Sequence, residues 1–170
     1  MTQTEGSNDI EPLEPELWFR ALERLSNRIV ASDDNDVASM LRHAFHLVQL
    51  TPGPLKGVVR CETGESAYEQ FLECGAFASA AAALIGSPMC YEVACVLRAG
   101  SPVIEAKAWL PGQTGRPAAI SGDSLTAALL GAWAACLVGL RRRSLAPEDS
   151  TLHQFPHKAP PAPRPKLNGH

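Results

Sequence analysis

The clearest pattern in the chain lies in residues 121–143, where apolar side chains recur at steps of three and four. This spacing places them on one face of an α-helix. Asp123 or Ser124 can cap the start of the helix, and the arginines at 141–143 follow its last apolar residue, where they complement the helix dipole. We therefore predict a helix whose buried face is formed by Leu125, Leu129, Ala132, Trp133, Cys136, Leu137 and Leu140.

The same segment has a second interpretation. Residues 125–140 carry no charge and precede the basic cluster, as a short membrane anchor with a positive flank would. A membrane-spanning helix needs about 20 predominantly apolar residues, and this segment is shorter and diluted by Thr126, glycines and alanines. A buried core helix is the favoured interpretation, and a membrane anchor is the alternative.

Two amphipathic helices are predicted in residues 12–50. The first opens on prolines and acids, and its apolar stripe consists of Trp18, Leu22, Leu25 and Ile29. An acidic turn at 32–36 can cap the second helix, which runs to about Leu50. Its inward positions are Val37, Met40, Leu41, Ala44, Leu47 and Val48. We expect the two helices to form an antiparallel hairpin.

Residues 58–143, which follow the helix-breaking segment 51–54, are expected to mix helices and strands. Val58–Cys61 is predicted as a short strand, and the capping box Ser66–Glu69 is expected to start a single helix that ends before Gly86. Period-two alternation then predicts strands at 89–98 and 103–110, with a hairpin turn between them and a short third strand at 117–120.

Together these elements predict one α+β domain over residues 12–143. A small antiparallel sheet, a β-meander, packs against helices, and the N-terminal helical hairpin (12–50) is joined to an α-β-β-(β)-α unit (58–143). We expect residues 1–11 to be disordered because they are polar and acidic. Residues 144–170 are rich in proline and are expected to form a disordered tail, in which Pro160 and Pro163 fit a P-x-x-P docking peptide.

Charge is distributed unevenly along the chain. The net charge is −6 over residues 1–36, −1 over 37–140 and +4 over 141–170, which sums to −3 for the 170 residues. A nucleic-acid-binding domain usually has a basic stripe on its folded part, so specific nucleic-acid binding is not expected. Residues 1–10 lack the pattern of a secretion signal, and cytoplasmic location is therefore expected.

Catalytic and metal-binding chemistry is weakly indicated. The five cysteines are odd in number and lack a C-x-x-C pair, and we expect small core residues in a reducing compartment rather than disulfides or a zinc site. His43 and His46 could share a helix face and bind a metal with Cys61, but two partly exposed histidines are the favoured interpretation. No cofactor and no metal are expected.

Two enzyme hypotheses remain open beside these. Cys61 could act as a nucleophile with a histidine such as His46. Glu92 and Glu105, on facing strands, could form a carboxylate pair. The alternative for the glutamates is ion pairing on a solvated face, with Glu105 near Lys107 and Glu92 near Arg98.

A family resemblance rests on three features of residues 66–140: the run Ala80–Ile85, the strands around Tyr91 and Trp109, and the helix Asp123–Leu137. These residues resemble the phage ABA (α-β-α) sandwich group of small phage and prophage domains. In that group a helix with an Ala-Ala pair precedes a β-meander, and an Ala/Leu-rich helix closes the domain. The resemblance implies a small accessory or interaction protein and carries over no catalytic residue.

The favoured hypothesis for function is therefore a non-catalytic accessory protein of bacterial, phage or mobile-element type that acts through protein contacts. Trp18 and Trp109 are the candidate anchors for a protein partner or a homodimer, since only Trp133 stands clearly on a core face. Pro160 and Pro163 are the candidate contacts of the tail. An enzyme with an unrecognised site around Cys61 and His46, or a membrane anchor at 125–140, is the alternative.

Overall fold

The computed structural model describes residues 11–31, 36–113 and 117–144, without the side chains of 142–144. Over these residues the chain has the predicted α+β fold, with a three-stranded antiparallel sheet ordered β1-β2-β3. The elements are α1 (Pro15–Ala31), α2 (Val37–Gln49), a 3-10 turn (Gly53–Leu55), α3 (Glu65–Glu73), α4 (Phe77–Ile85), β1 (Cys90–Arg98), β2 (Ser101–Trp109), β3 (Ile120–Gly122) and α5 (Leu125–Ser144).

Helices α1 and α2 pack together as the predicted hairpin. Trp18, Leu22 and Leu25 of the predicted stripe are fully buried. The indole Nε1 of Trp18 donates a hydrogen bond of 2.7 Å to the main-chain carbonyl of Leu47 in α2. The apolar faces of the two helices are thus joined by packing and by one buried polar contact.

The predicted strand at Val58–Cys61 is wrong. The backbone N–H groups of Val58 and Val59 both donate to the carbonyl of Leu55, at 2.9 Å each. These groups continue the turn that begins at Gly53–Leu55, and they are therefore not free to join a sheet ladder. Val59 nevertheless lies in the hydrophobic core.

The single helix predicted from Ser66 to Gly86 is also wrong, because it divides at Gly75 into α3 and α4. Gly75 has φ +70°. Its N–H donates to Leu72 and the next N–H, of Ala76, donates to Phe71, which is the Schellman pattern of a helix end. The predicted cap residue Ser66 lies inside the first turn of α3, which begins after Gly64.

The hairpin between β1 and β2 turns on only two residues, Ala99 and Gly100, because Arg98 pairs directly with Ser101. Both turn residues have positive φ, +49° and +85°. This is the backbone of a type I′ turn, whose twist matches that of the flanking strands. Glycine adopts it freely, whereas alanine at Ala99 is strained by its Cβ atom.

We expect Ala99→Asn to stabilise the protein by about 1 kcal/mol, since asparagine tolerates the left-handed region and Asn-Gly is the preferred type I′ sequence. Chemical denaturation monitored by circular dichroism measures the change. Ala99→Val is the matched control, and it should destabilise because a β-branched side chain fits this conformation poorly. A destabilised Ala99→Asn protein would contradict the left-handed turn.

Helix α5 is the centre of the fold, as its pattern predicts. It contacts α1, α4, β2 and β3. The hydroxyl Oγ of Ser124 accepts a hydrogen bond from the N–H of Ala127 at 3.2 Å, which identifies Ser124 as the cap. Trp133 is fully buried, as expected, but Leu125, assigned to the buried face, is 38% exposed. Leu130 and Ala134, outside the predicted face, are buried as well, because helices and sheet enclose α5 from several sides.

The end of α5 is tied to α1 by charge. The guanidinium of Arg141 binds Glu23 at 2.7 Å and Glu16 at 2.6 Å. Arg141, one of the basic residues expected to complement the helix dipole, thus also joins α5 to α1. Among the helices that the structure describes, none is both long enough and apolar enough to cross a membrane.

Candidate functional site

The two faces of the sheet differ in character, and the strand register shows which residues share a face. Ala106 and Ala108 of β2 are buried on the side covered by α5. Their partners on β1 are Val93 and Tyr91. Cross-strand partners project to the same side of a sheet. The residues of β1 on the helix side are therefore Tyr91, Val93, Cys95 and Leu97, which we call the β1 apolar row.

The β1 apolar row is largely open to solvent although it continues a core-facing surface. Tyr91 is 48% exposed, Val93 41% and Leu97 78%, and Cys95 is exposed as well. The cause is the position of α5, which packs on β2 and β3, whereas the extensive contacts of β1 are with β2 alone. Clustered exposed apolar side chains are typical of interaction surfaces.

The opposite face of the same hairpin carries charge. Arg98 pairs with Glu105, and Lys107 Nζ lies 3.7 Å from the carboxylate of Glu92. The ion-pair interpretation holds, but with its partners exchanged: Glu105 pairs with Arg98 and Glu92 with Lys107. Each glutamate is held by a cation on the neighbouring strand, which is the arrangement of a solvated sheet face rather than of an acid–base pair.

The predicted anchor residues lie in different environments. Trp18 is fully buried between α1 and α2, so its assignment as an exposed anchor is wrong: its ring and its Nε1 atom are both used by the core. Trp109 is half-buried at the end of β2, on the charged face and opposite Cys90. Pro160 and Pro163 lie outside the described residues.

The cysteines differ from the expectation that they are core residues. Cys136 is buried and Cys61 is half-buried, whereas Cys74, Cys90 and Cys95 are exposed. Two of the exposed thiols lie on β1: Cys95 belongs to the row that α5 leaves uncovered, and Cys90 lies on the charged face. None of these five cysteines, all within the described residues, forms a disulfide.

A cavity of about 360 Å³ lies beside Cys61, between α2 and the loop that leads to α3. Phe45 and Val48 form part of its apolar wall, and Lys56, Arg60 and Glu65 lie at its polar side. His43 and His46 are both described and neither lines this cavity. The predicted pairing of Cys61 with His46 is therefore not supported by a common pocket.

His43 and His46 lie on α2, His43 half-buried and His46 exposed. Within the described residues no group of three or more histidine, cysteine or acidic side chains is placed to hold a metal ion. Burial lowers the pKa of His43 below its ordinary value, and the positive charge of Arg28 acts in the same direction. The structure thus favours the neutral imidazole of His43.

We expect acidification below about pH 6.5 to weaken the fold in part through His43. The unfolded chain binds a proton near that pH, whereas the folded chain, with the lowered pKa, does so only at lower pH. The contribution is therefore present above the unfolded pKa and is lost as the pH falls through the window between the two values. Denaturation curves between about pH 7 and 5 should show a smaller decline for His43→Gln than for the unchanged protein.

His46→Gln is the control for this measurement. It removes the charge of His46, the smallest of the three causes that lower the pKa of His43, but it leaves burial and Arg28 in place, so most of the decline should persist. The carboxyl of Asp36 does not contribute to the decline in stability between about pH 7 and 5. Its hydrogen bond with Arg28 holds its pKa below the ordinary value of 3.8, so its contribution is lost only at lower pH. An equal decline in His43→Gln and in the unchanged protein would contradict the assignment.

The β1 apolar row is not identified as a surface by the sequence pattern. Tyr91, Val93, Cys95 and Leu97 do recur at every second position along β1, but this alternation also predicts a buried strand face. These residues are exposed because β1 lies at the sheet edge and because α5 packs on β2 and β3 instead, and the alternation encodes neither fact.

The chain matches no family model, no curated protein and no solved structure.

Proposed function

We propose that the protein is a non-catalytic accessory protein that acts through protein–protein contacts, and that the β1 apolar row is its main contact surface. The observation that carries this proposal is the exposure of four neighbouring row residues on the side of the sheet that elsewhere packs against α5. An apolar surface of this kind gains free energy when a partner removes it from water.

The free edge of β1 adds a second means of binding. Within the described residues β1 has a strand on one side only. An open edge presents backbone N–H and C=O groups that an extended segment of another chain can pair with. Apolar side chains beside such an edge supply affinity and the backbone supplies register.

We further propose a cytoplasmic protein of bacterial, phage or mobile-element type. The support for this part is the resemblance of residues 66–140 to the phage ABA sandwich group. The half-buried Trp109 remains a candidate contact at the far end of the hairpin, and Pro160 and Pro163 remain candidate contacts of the tail.

Affinity purification of the full chain from its host cells, followed by mass spectrometry, tests the proposal. The informative variant carries Val93→Lys and Leu97→Lys, two exposed positions of the β1 apolar row. The matched control is Val30→Lys, because Val30 is 85% exposed on α1 and distant in sequence. We expect a stoichiometric partner that is retained by Val30→Lys and lost by the double variant.

Two further variants separate the other candidate contacts. Trp109→Ala should weaken the association if that residue takes part, and a chain that ends at Arg143 should lose any contact made by the proline-rich tail. An association that none of the β1 changes affects would overturn the role of this surface. A turnover activity lost on changing Cys61 would favour the enzyme alternative.

A further inference from the structure

The outer edge of β1 has a defined pattern of backbone groups. The two-residue turn closes on the pair Arg98–Ser101, so these residues form a hydrogen-bonded pair of the hairpin. Hydrogen-bonded and non-hydrogen-bonded pairs alternate along an antiparallel ladder. Tyr91, Val93, Cys95 and Leu97 therefore direct their N–H and C=O groups away from β2, toward the free edge.

The same four residues thus contribute both the unpaired backbone edge and the exposed apolar side chains. The charged residues of β1 indicate which chain can pair with these four residues. The strand contains only two, Glu92 and Arg98, which have opposite signs and lie near opposite ends. Their side chains are 58% and 63% exposed, so each can contact a further charge beside its partner on β2.

We infer that the partner of β1 is the β1 strand of a second copy of this chain, paired antiparallel about a twofold axis at Cys95. This inference rests on the proposed function and names its partner. In this register Glu92 faces Arg98 of the second copy, and by symmetry Arg98 faces the other Glu92. Val93 faces Leu97 of the second copy, and Cys95 faces its own counterpart.

Other antiparallel registers are possible, and the neighbouring one is centred on Ala94. It also pairs the edge-directed residues with one another, but it places Glu92 opposite Val96 and Arg98 opposite Cys90. Opposite charges facing each other across strands stabilise a sheet, and charges facing apolar residues do not. Charge complementarity therefore selects the register centred on Cys95, which joins the two sheets into six strands ordered β3-β2-β1-β1-β2-β3.

The decisive experiment uses the full chain and two single charge reversals, Glu92→Arg and Arg98→Glu. Sedimentation velocity over a concentration series measures the dimer dissociation constant. We expect the unchanged protein to dimerise and each variant alone to bind itself at least about tenfold more weakly, because like charges then face each other twice. An equimolar mixture should restore dimerisation, since the arginine introduced in one variant then faces the glutamate introduced in the other.

The mixture separates the inference from a folding defect. Each reversal also disturbs an ion pair with β2, Glu92 with Lys107 or Arg98 with Glu105, and circular dichroism checks that both variants fold. A misfolded variant would not be rescued by mixing. As an independent readout, a short bis-maleimide should crosslink Cys95 to Cys95, and the exposed Cys74, which lies at the end of α3 and not on β1, should give no such product.

A monomeric unchanged protein at its highest soluble concentration would overturn the inference. So would a dimer that neither reversal weakens, or one that mixing does not restore. If the purified protein is monomeric but a different protein is captured through β1 in host cells, the inference fails and the proposed function stands. If no partner depends on β1 in either experiment, both fail.

Discussion

Replacing Trp18 by alanine is expected to lower the free energy of unfolding by about 3–5 kcal/mol. The indole ring is fully buried between α1 and α2, and its removal leaves a cavity that rigid helices fill only in part. The change also removes the donor of a buried hydrogen bond to Leu47. Urea denaturation followed by tryptophan fluorescence and circular dichroism measures the loss.

Two variants isolate the causes of this effect. Leu17→Ala changes the neighbouring residue, which is 50% exposed, and should alter stability by no more than about 0.5 kcal/mol. Trp18→Phe keeps an aromatic ring but removes the Nε1 donor, and it should cost less than Trp18→Ala. A loss below about 1 kcal/mol for Trp18→Ala would contradict the buried position and would reopen its assignment as a surface anchor.

Trp18 also shows what the sequence pattern could and could not establish. Its place in the apolar stripe with Leu22 and Leu25 predicted burial, and this part is confirmed. Its role as an anchor was inferred from residue type alone. The group that binds its Nε1 lies 29 residues away, and the pattern of one helix does not identify a partner on another.

The remaining errors have two physical sources. Some are local: Gly75 ends α3 in a left-handed conformation, although the apolar periodicity continues through it. Others are tertiary. Val58–Cys61 has the residue types of a strand, but the N–H groups of Val58 and Val59 are bound by the carbonyl of Leu55 in the preceding turn.

The same alternation of residue types in the sequence corresponds to burial on β2 and to solvent exposure on β1. On β2 the alternation agrees with burial, since Ala106 and Ala108, two positions apart, both lie in the core. The same alternation on β1 leads to exposed residues such as Leu97, because β1 is an edge strand that α5 does not cover. The candidate surface is thus encoded in the sequence as apolar residues, and only the topology reveals that they are exposed.

The loop that contains Arg60 packs closely against the end of α4 at Gly86. Gly86 follows α4 with φ +43° and ψ 171°, a region that is almost confined to glycine. A Cβ atom added there would lie 2.4 Å from the main-chain carbonyl oxygen of Arg60. Arg60 in turn donates from Nε to the carbonyl of Ser87 at 3.2 Å, so the loop and the helix end meet closely at this point.

We expect Gly86→Ala to destabilise the protein by about 2–4 kcal/mol, the sum of backbone strain and of a clash between the new Cβ atom and the main-chain carbonyl oxygen of Arg60. Gly75→Ala is the matched control. Gly75 also has positive φ, +70°, but nothing lies within 4 Å of an added Cβ atom, so only the strain of about 1–2 kcal/mol should appear. Urea denaturation of both variants measures the difference, and equal losses would show that the close approach to Arg60 is absent in solution.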